Sequence, residues 1–132
     1  MGGQIQLLLD THALLWWLTR DRRLSATAAT LIAEPGNDVH VSPVSGIEIA
    51  IKYRLGRLPH AERLVPRFRA MMDERGFHVR TLSLEHCVRA GGYPGDHRDP
   101  FDRLLAAQAE LDDLILLTHD PAFAAFPCRT LW

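Results

Sequence analysis

Residues Ile5-Gln6-Leu7-Leu8-Leu9 form a largely apolar run without a turn former, and it stops at a carboxylate, Asp10. Such a run suits a short strand buried on both faces. A helix-like pattern, Thr11 to Leu18, follows without a break. A strand that passes at once into a helix is the signature of an open α/β sheet. Asp10 then lies at the strand's carboxyl end, the edge where such sheets hold ligands. It is equally suited to N-cap the helix, with Thr11 helping. An unpaired buried charge is costly, so the other acids of the chain must decide between the two readings.

The same alternation continues. Ser25 caps a second helix, Ala26 to Glu34, closed by Pro35-Gly36-Asn37. Val39-His40-Val41 reads as a short strand. Ser42 and Ser45 flank Pro43 as cap candidates for a third helix, about Val44 to Leu55, closed by Gly56. Past a linker at Arg57-Leu58-Pro59, a fourth helix is expected over Leu64 to Arg75, with Pro66 in its first turn and Gly76 ending it. Phe77 to Leu82 is an extended piece, and Ser83 caps a fifth helix through Ala90. A polar loop, Tyr93 to Arg98, leads to Asp99-Pro100, a strong start for a sixth helix ending at Leu111. Leu114 to Thr118 reads as a central strand, followed by another acid, Asp120. A short helix, Pro121 to Phe126, and a last strand, Cys128 to Leu131, complete the pattern. Strands alternating with helices predict an α/β fold. The expectation is one domain over residues 1–132, in three α/β/α layers around a mainly parallel sheet of about five strands.

Composition excludes several classes. With 132 residues, 47% hydrophobic and 23% charged, the chain reads as an ordinary soluble globule. A formal net charge of −1 gives no overall basic footprint for nucleic acid. Gathering several acids in one metal site would nevertheless leave the remaining surface net positive. Cys87 and Cys128 lie far apart, without metal-ligand spacing, and are expected as reduced core residues of a cytoplasmic protein. The first residues lack an export pattern, and the run from Leu7 to Leu18 is too short and too polar to span a bilayer.

Four carboxylates occupy comparable places. Asp10 and Asp120 follow apolar strands, whereas Glu48 and Asp102 lie early in helices that open after loops. In a doubly wound sheet, strand carboxyl ends and the first turns of the following helices share one edge. At about 5 Å separation, each ionised pair would repel by about 3 kcal/mol at an effective dielectric near 20. Hard divalent cations are the natural counter-charge for such an all-oxygen cluster. Glu48 interrupts an apolar stretch of Ile47, Ile49, Ala50 and Ile51, which favours a partnered, functional acid. Asp99 and Asp102 share a helix face; Asp99, before Pro100, is assigned the cap and Asp102 the site. Lys52, Arg54, Arg57, Arg98 and Arg103 lie near these acids as candidate phosphate contacts, chiefly Lys52, Arg98 and Arg103. Trp16 and Trp17 are adjacent, so only one can face the core.

The segments LLLDTHALLWWL, VSPVSGIEIAIKYRLGRL, HRDPFDRLLAAQA and LLTHD resemble, in this order and across nearly the whole chain, the four blocks of PIN-domain nucleases. They are most similar to those of the VapC toxins of bacterial toxin–antitoxin pairs. The resemblance implies a PIN-like fold with Asp10, Glu48, Asp102 and Asp120 as the catalytic, metal-binding acids. It implies Thr11, Ser45 and Thr118 as hydrogen-bonding supports of those acids; Asp99, the cap of the sixth helix, is expected in the shell around them by its place in the sequence. It further implies a Mg²⁺- or Mn²⁺-dependent endoribonuclease acting on structured RNA such as tRNA or rRNA, leaving 5′-phosphate and 3′-hydroxyl ends. A homodimer and a VapB-like antitoxin partner are expected on the same ground. Two other readings remain: a catalytically weak RNA- or partner-binding PIN module, and a Mg²⁺-dependent phosphatase. The phosphatase would need a second Asp two residues after the first, where this chain has His12.

Overall fold

Gln6–Leu9 forms β1, and Leu7, Leu8 and Leu9 are completely shielded from solvent in the computed structural model, which describes residues 4–132. The strand is buried on both faces because side chains alternate. Leu7 and Leu9 enter one apolar core, and Leu8 enters another on the opposite face. The first core is filled from α1 (Thr11–Thr19), α2 (Ala26–Ala33), α3 (Pro43–Arg54) and α4 (Phe68–Glu74) by residues such as Leu14, Ile32, Ile49 and Met72. The second is filled from α5 (Leu84–Gly92) and α6 (Pro100–Leu111), where Ala90, Leu105, Ala106 and Ala109 meet Leu8 and Leu116. Small residues on α6 let it lie close to the sheet.

Four further strands complete the sheet: β2 (Asp38–Val41), β3 (His78–Val79), β4 (Ile115–Leu117) and β5 (Thr130–Leu131). They are arranged β3-β2-β1-β4-β5, and every neighbouring pair is parallel. Leu7 pairs with Val39 on one side and with Ile115 on the other. The chain winds outward from β1 to β3, then returns to place β4 against the other side of β1. The strand order therefore reverses between β1 and β4, and a crevice opens at their carboxyl ends. The expected three-layer α/β fold with a five-stranded parallel sheet is what forms.

The caps read in the sequence are in place. Ser25, Ser42, Ser83 and Asp99 accept backbone N–H groups at the starts of α2, α3, α5 and α6. Ser45, the other cap candidate of α3, lies one turn inside the helix and is fully buried. The expected helix over Leu64 to Arg75 is shorter than its apolar pattern. Pro59 and Pro66 cannot donate to a helical ladder. The segment instead makes two 3-10 turns, Pro59–Glu62 and Val65–Arg67, before α4 begins at Phe68. Pro121–Ala125 is likewise a 3-10 turn. The edge strands β3 and β5 pair over two residues each, less than the extended stretches anticipated. Cys87, expected in the core, is exposed on α5, while Cys128 is half-buried. Among the described residues, no helix is long and apolar enough to cross a membrane.

Candidate metal centre

The crevice between β1 and β4 contains a cavity of about 210 Å³ lined by Asp10, Glu48, Asp102 and Asp120, together with Thr11, His12, Lys52 and Asp99. The four acids proposed from the sequence thus share one hollow, delivered by four different segments. Asp10 follows β1 directly, and its N–H extends the sheet by bonding to the Leu117 carbonyl at 3.2 Å. Asp120 follows β4 by three residues. Glu48 lies in the second turn of α3 and Asp102 in the first turn of α6, which places both near the positive ends of those helices.

Asp10 serves both roles considered for it. One carboxylate oxygen accepts the Ala13 N–H at 2.7 Å as the N-cap of α1, and the other accepts the Thr118 hydroxyl. The residue is 5% exposed. Burial pushes its carboxyl above the ordinary carboxylate range, against the pull of Thr118 and Ala13, and nearby Asp120 pushes the same way. The Thr118 hydroxyl also accepts the Asp120 N–H at 3.1 Å, so one side chain aligns two of the acids. Glu48 accepts the Thr11 hydroxyl at 2.7 Å, and Thr11 in turn lies 3.0 Å from the Ser45 hydroxyl. Lys52, one turn further along α3, is 3.4 Å from Glu48. Asp102 binds His97 Nε2 through one oxygen at 2.8 Å. Burial raises its carboxyl too, with Asp99 and Asp120 adding to the rise and His97 opposing it. Asp99 accepts the Phe101 and Asp102 N–H groups, so it caps α6 while standing at the cavity's rim.

These groups fit a hard divalent cation in donor type. The lining is rich in carboxylate oxygen, and the burial that raises Asp10 and Asp102 is the kind of cost a cation offsets. Among the described residues, no three His, Cys, Asp or Glu side chains converge closely enough to chelate one ion. The cavity is instead large enough for a hydrated ion, given about 30 Å³ per water in the liquid. Mg²⁺ commonly keeps several waters and takes only one or two carboxylates directly.

One of the expected phosphate contacts is placed otherwise. Arg103 points away from the acids. Its guanidinium donates to the carbonyls of Ala90, Tyr93, Gly95 and His97, tying α5 and the following loop to α6. Lys52 sits in the cavity wall paired with Glu48, and Arg98 is exposed immediately before the Asp99 cap, outside the cavity's lining. The bond from His97 to Asp102 was not assigned from the sequence; only the five-residue spacing within the loop hinted at it. Trp17 packs on the first core, while Trp16 stacks on His12 at the cavity's edge.

A family model described as PIN domain matches residues 7–127. No curated protein matches the sequence. Several solved structures share the fold. One is VapBC2 from Rickettsia felis bound to a DNA fragment from their promoter, with a TM-score of 0.71, 15% identity and coverage of 96% of this chain and 98% of that one. Another is VapBC-1 from nontypeable Haemophilus influenzae, with a TM-score of 0.65 and 18% identity, covering 96% and 97% of the two chains. A third is a toxin–antitoxin complex from Klebsiella pneumoniae, with a TM-score of 0.62 and 22% identity over 96% of both chains.

Proposed function

Since the chain belongs to the PIN-domain family, we propose that it is a VapC-like endoribonuclease toxin that depends on Mg²⁺ or Mn²⁺ and is held in check by a VapB-like antitoxin. The observation that carries this reading is the convergence of Asp10, Glu48, Asp102 and Asp120 on one small crevice at the strand-order reversal. Like charges do not gather in a half-buried cavity without something to balance them. Among the described residues its wall carries Lys52 and His12 against Asp10, Glu48, Asp99, Asp102 and Asp120, which leaves the acids in excess.

Asp10, Asp102 and Asp120 would hold the ion, directly or through water, with Glu48 completing the site. A bound divalent cation supplies a more acidic water for attack on phosphorus and offsets charge on the phosphate oxygens. The protein's own contribution is positioning. Thr118 orients Asp10 and the Asp120 backbone, Thr11 orients Glu48, and His97 orients Asp102. Phosphate would be drawn to Lys52 at the rim, and the products would carry 5′-phosphate and 3′-hydroxyl ends. Structured RNA in the cytoplasm, tRNA or rRNA, is the substrate class. The toxin–antitoxin assemblies among the structural neighbours support an antitoxin partner; a homodimer as the resting form belongs to the same proposal.

Incubation of the purified chain with total RNA tests the reading. Fragments should appear with Mn²⁺, vanish with EDTA, and be absent from an Asp10→Asn variant of unchanged circular dichroism. Intact RNA that still binds the protein would instead mark a binding module without cleavage.

A further inference from the structure

A second hollow, of about 420 Å³, adjoins the acidic cavity. His12 and Lys52 line both, so the two run together along α1 and α3. The wall facing away from the acids is aromatic and cationic. His12 and Trp16, one turn apart on α1, stack with ring centres 5.4 Å apart and planes 15° apart. The Arg23 guanidinium lies 5.0 Å from the centre of the Trp16 ring, and two bonds to Asp21 fix its plane. His60, brought in by the first 3-10 turn, closes the far side. His12 is exposed and Trp16 only half-buried. Trp17 and Leu14 supply the contacts of α1 with the core, and Trp16 meets Trp132 edge-on with ring centres 5.8 Å apart, which leaves the exposed His12 ring as the open end of the stack beside the acids.

We propose that this hollow is a nucleoside subsite, taking one unstacked base next to the scissile phosphate, with the base on the His12–Trp16 stack and its phosphate at Lys52. The inference rests on the nuclease reading above and adds the contact that selects its substrate. The volume lies within the range of small-ligand pockets. Unpaired RNA bases are held by stacking on aromatic rings and arginine planes, and their phosphates by cations. The basic and imidazole side chains, His12, Arg23, Lys52 and His60, outnumber the one acid, Asp21, which is already paired with Arg23. That balance favours an anionic polymer over an acidic or purely apolar peptide. A base must leave its helix to enter, so cleavage falls in loops, bulges or single strands of a structured RNA.

The test separates stacking from charge. Full-length protein carrying Asp10→Asn, to prevent cleavage, is titrated in Mg²⁺ with a fluorescein-labelled 12-nucleotide oligo(A) and with an abasic ribose-phosphate 12-mer of equal charge. Trp16→Ala should weaken oligo(A) binding about ten-fold or more, the scale of losing one base–aromatic stack. It should leave the abasic polymer's binding unchanged, and Trp16→Phe should restore the oligo(A) affinity. Trp16→Leu, which keeps bulk but removes the aromatic face, should weaken oligo(A) in the same selective way if Trp16→Ala fails to fold. Equal losses on both polymers, or none, would overturn the subsite. So would unchanged RNA affinity with loss of a co-expressed antitoxin, which would give the hollow to a protein partner. These results are distinct from failure of the nuclease reading, which is wild-type protein that leaves total RNA intact in Mn²⁺.

Discussion

Asp10 is placed by two bonds of different origin, the Ala13 N–H that any N-cap would accept and the Thr118 hydroxyl reaching across from β4. The second matters for ion binding, because it favours the charged carboxyl that burial disfavours. Thr118→Val keeps the shape and removes the bond. It should cost about 1–2 kcal/mol of stability in urea titrations, the scale of a buried hydrogen bond to a charged group. It should also shift the acid limb of Mn²⁺-dependent RNA cleavage to higher pH, because Asp10 then ionises less readily. An unmoved limb would show that Thr118 only packs. His40 offers a second residue-scale test, remote from the acids. It is 6% exposed on β2, with Nε2 bonded to Gln6 at 2.7 Å and Nδ1 buried without a partner among the described residues. Burial, then the nearby Arg80 and His78, holds its pKa down to about 4, while Asp38 and Asp112 pull the other way. Between 6.5 and 4 the unfolded chain takes a proton that the folded chain refuses, so stability falls as pH falls through that window. His40→Gln should flatten that part of the stability-versus-pH curve; an unchanged slope would show that other groups carry it.

At the scale of elements, α6 shows both how much the sequence reveals and where it stops. Asp99-Pro100 announced the start of the helix, and the apolar strands ending in Asp10 and near Asp120 announced the crevice. These signals are local, and each is a cap or a period that neighbouring residues alone create. Arg103 was legible only as a charge beside an acid. Its actual role depends on four carbonyls at Ala90, Tyr93, Gly95 and His97, which a linear reading cannot aim at one guanidinium. The exposure of Cys87 and the 3-10 turns around Pro59 and Pro66 escaped for a related reason: tertiary packing decides which face of α5 is covered and how far a helix persists after proline. The new reading of Arg103 has a consequence. Lys has neither the fork nor the number of donors to replace it. Arg103→Lys should destabilise by about 2–3 kcal/mol, the range for hydrogen bonds to a charged donor, and expose the 93–98 loop to limited proteolysis. Since that loop carries His97, the bond to Asp102 should loosen with it. A variant as stable and as protease-resistant as the parent would return Arg103 to the list of free cations.

At the scale of the whole molecule, the parallel sheet brings acids from both ends of the chain into one crevice, and the fold bears the cost of holding them there. Burial raises Asp102, and Asp99 and Asp120 add to the rise. A carboxyl with a raised folded pKa binds its proton more tightly when folded, so the protein loses stability as pH climbs above the ordinary value of 3.8, and at neutral pH the penalty is present. Asp102→Asn removes that charge and can still accept the His97 N–H. It should therefore stabilise the protein in EDTA at neutral pH by about 1 kcal/mol, as other relieved charge clusters do, and by less at pH 5. Divalent cation reverses the comparison. Binding to the folded state alone adds stability that grows with ion concentration, so Mn²⁺ should raise the melting temperature of the wild type and raise that of Asp102→Asn much less. If the variant is no more stable than the wild type in EDTA, or if Mn²⁺ shifts both equally, the crevice does not hold its acids at a cost that a cation relieves.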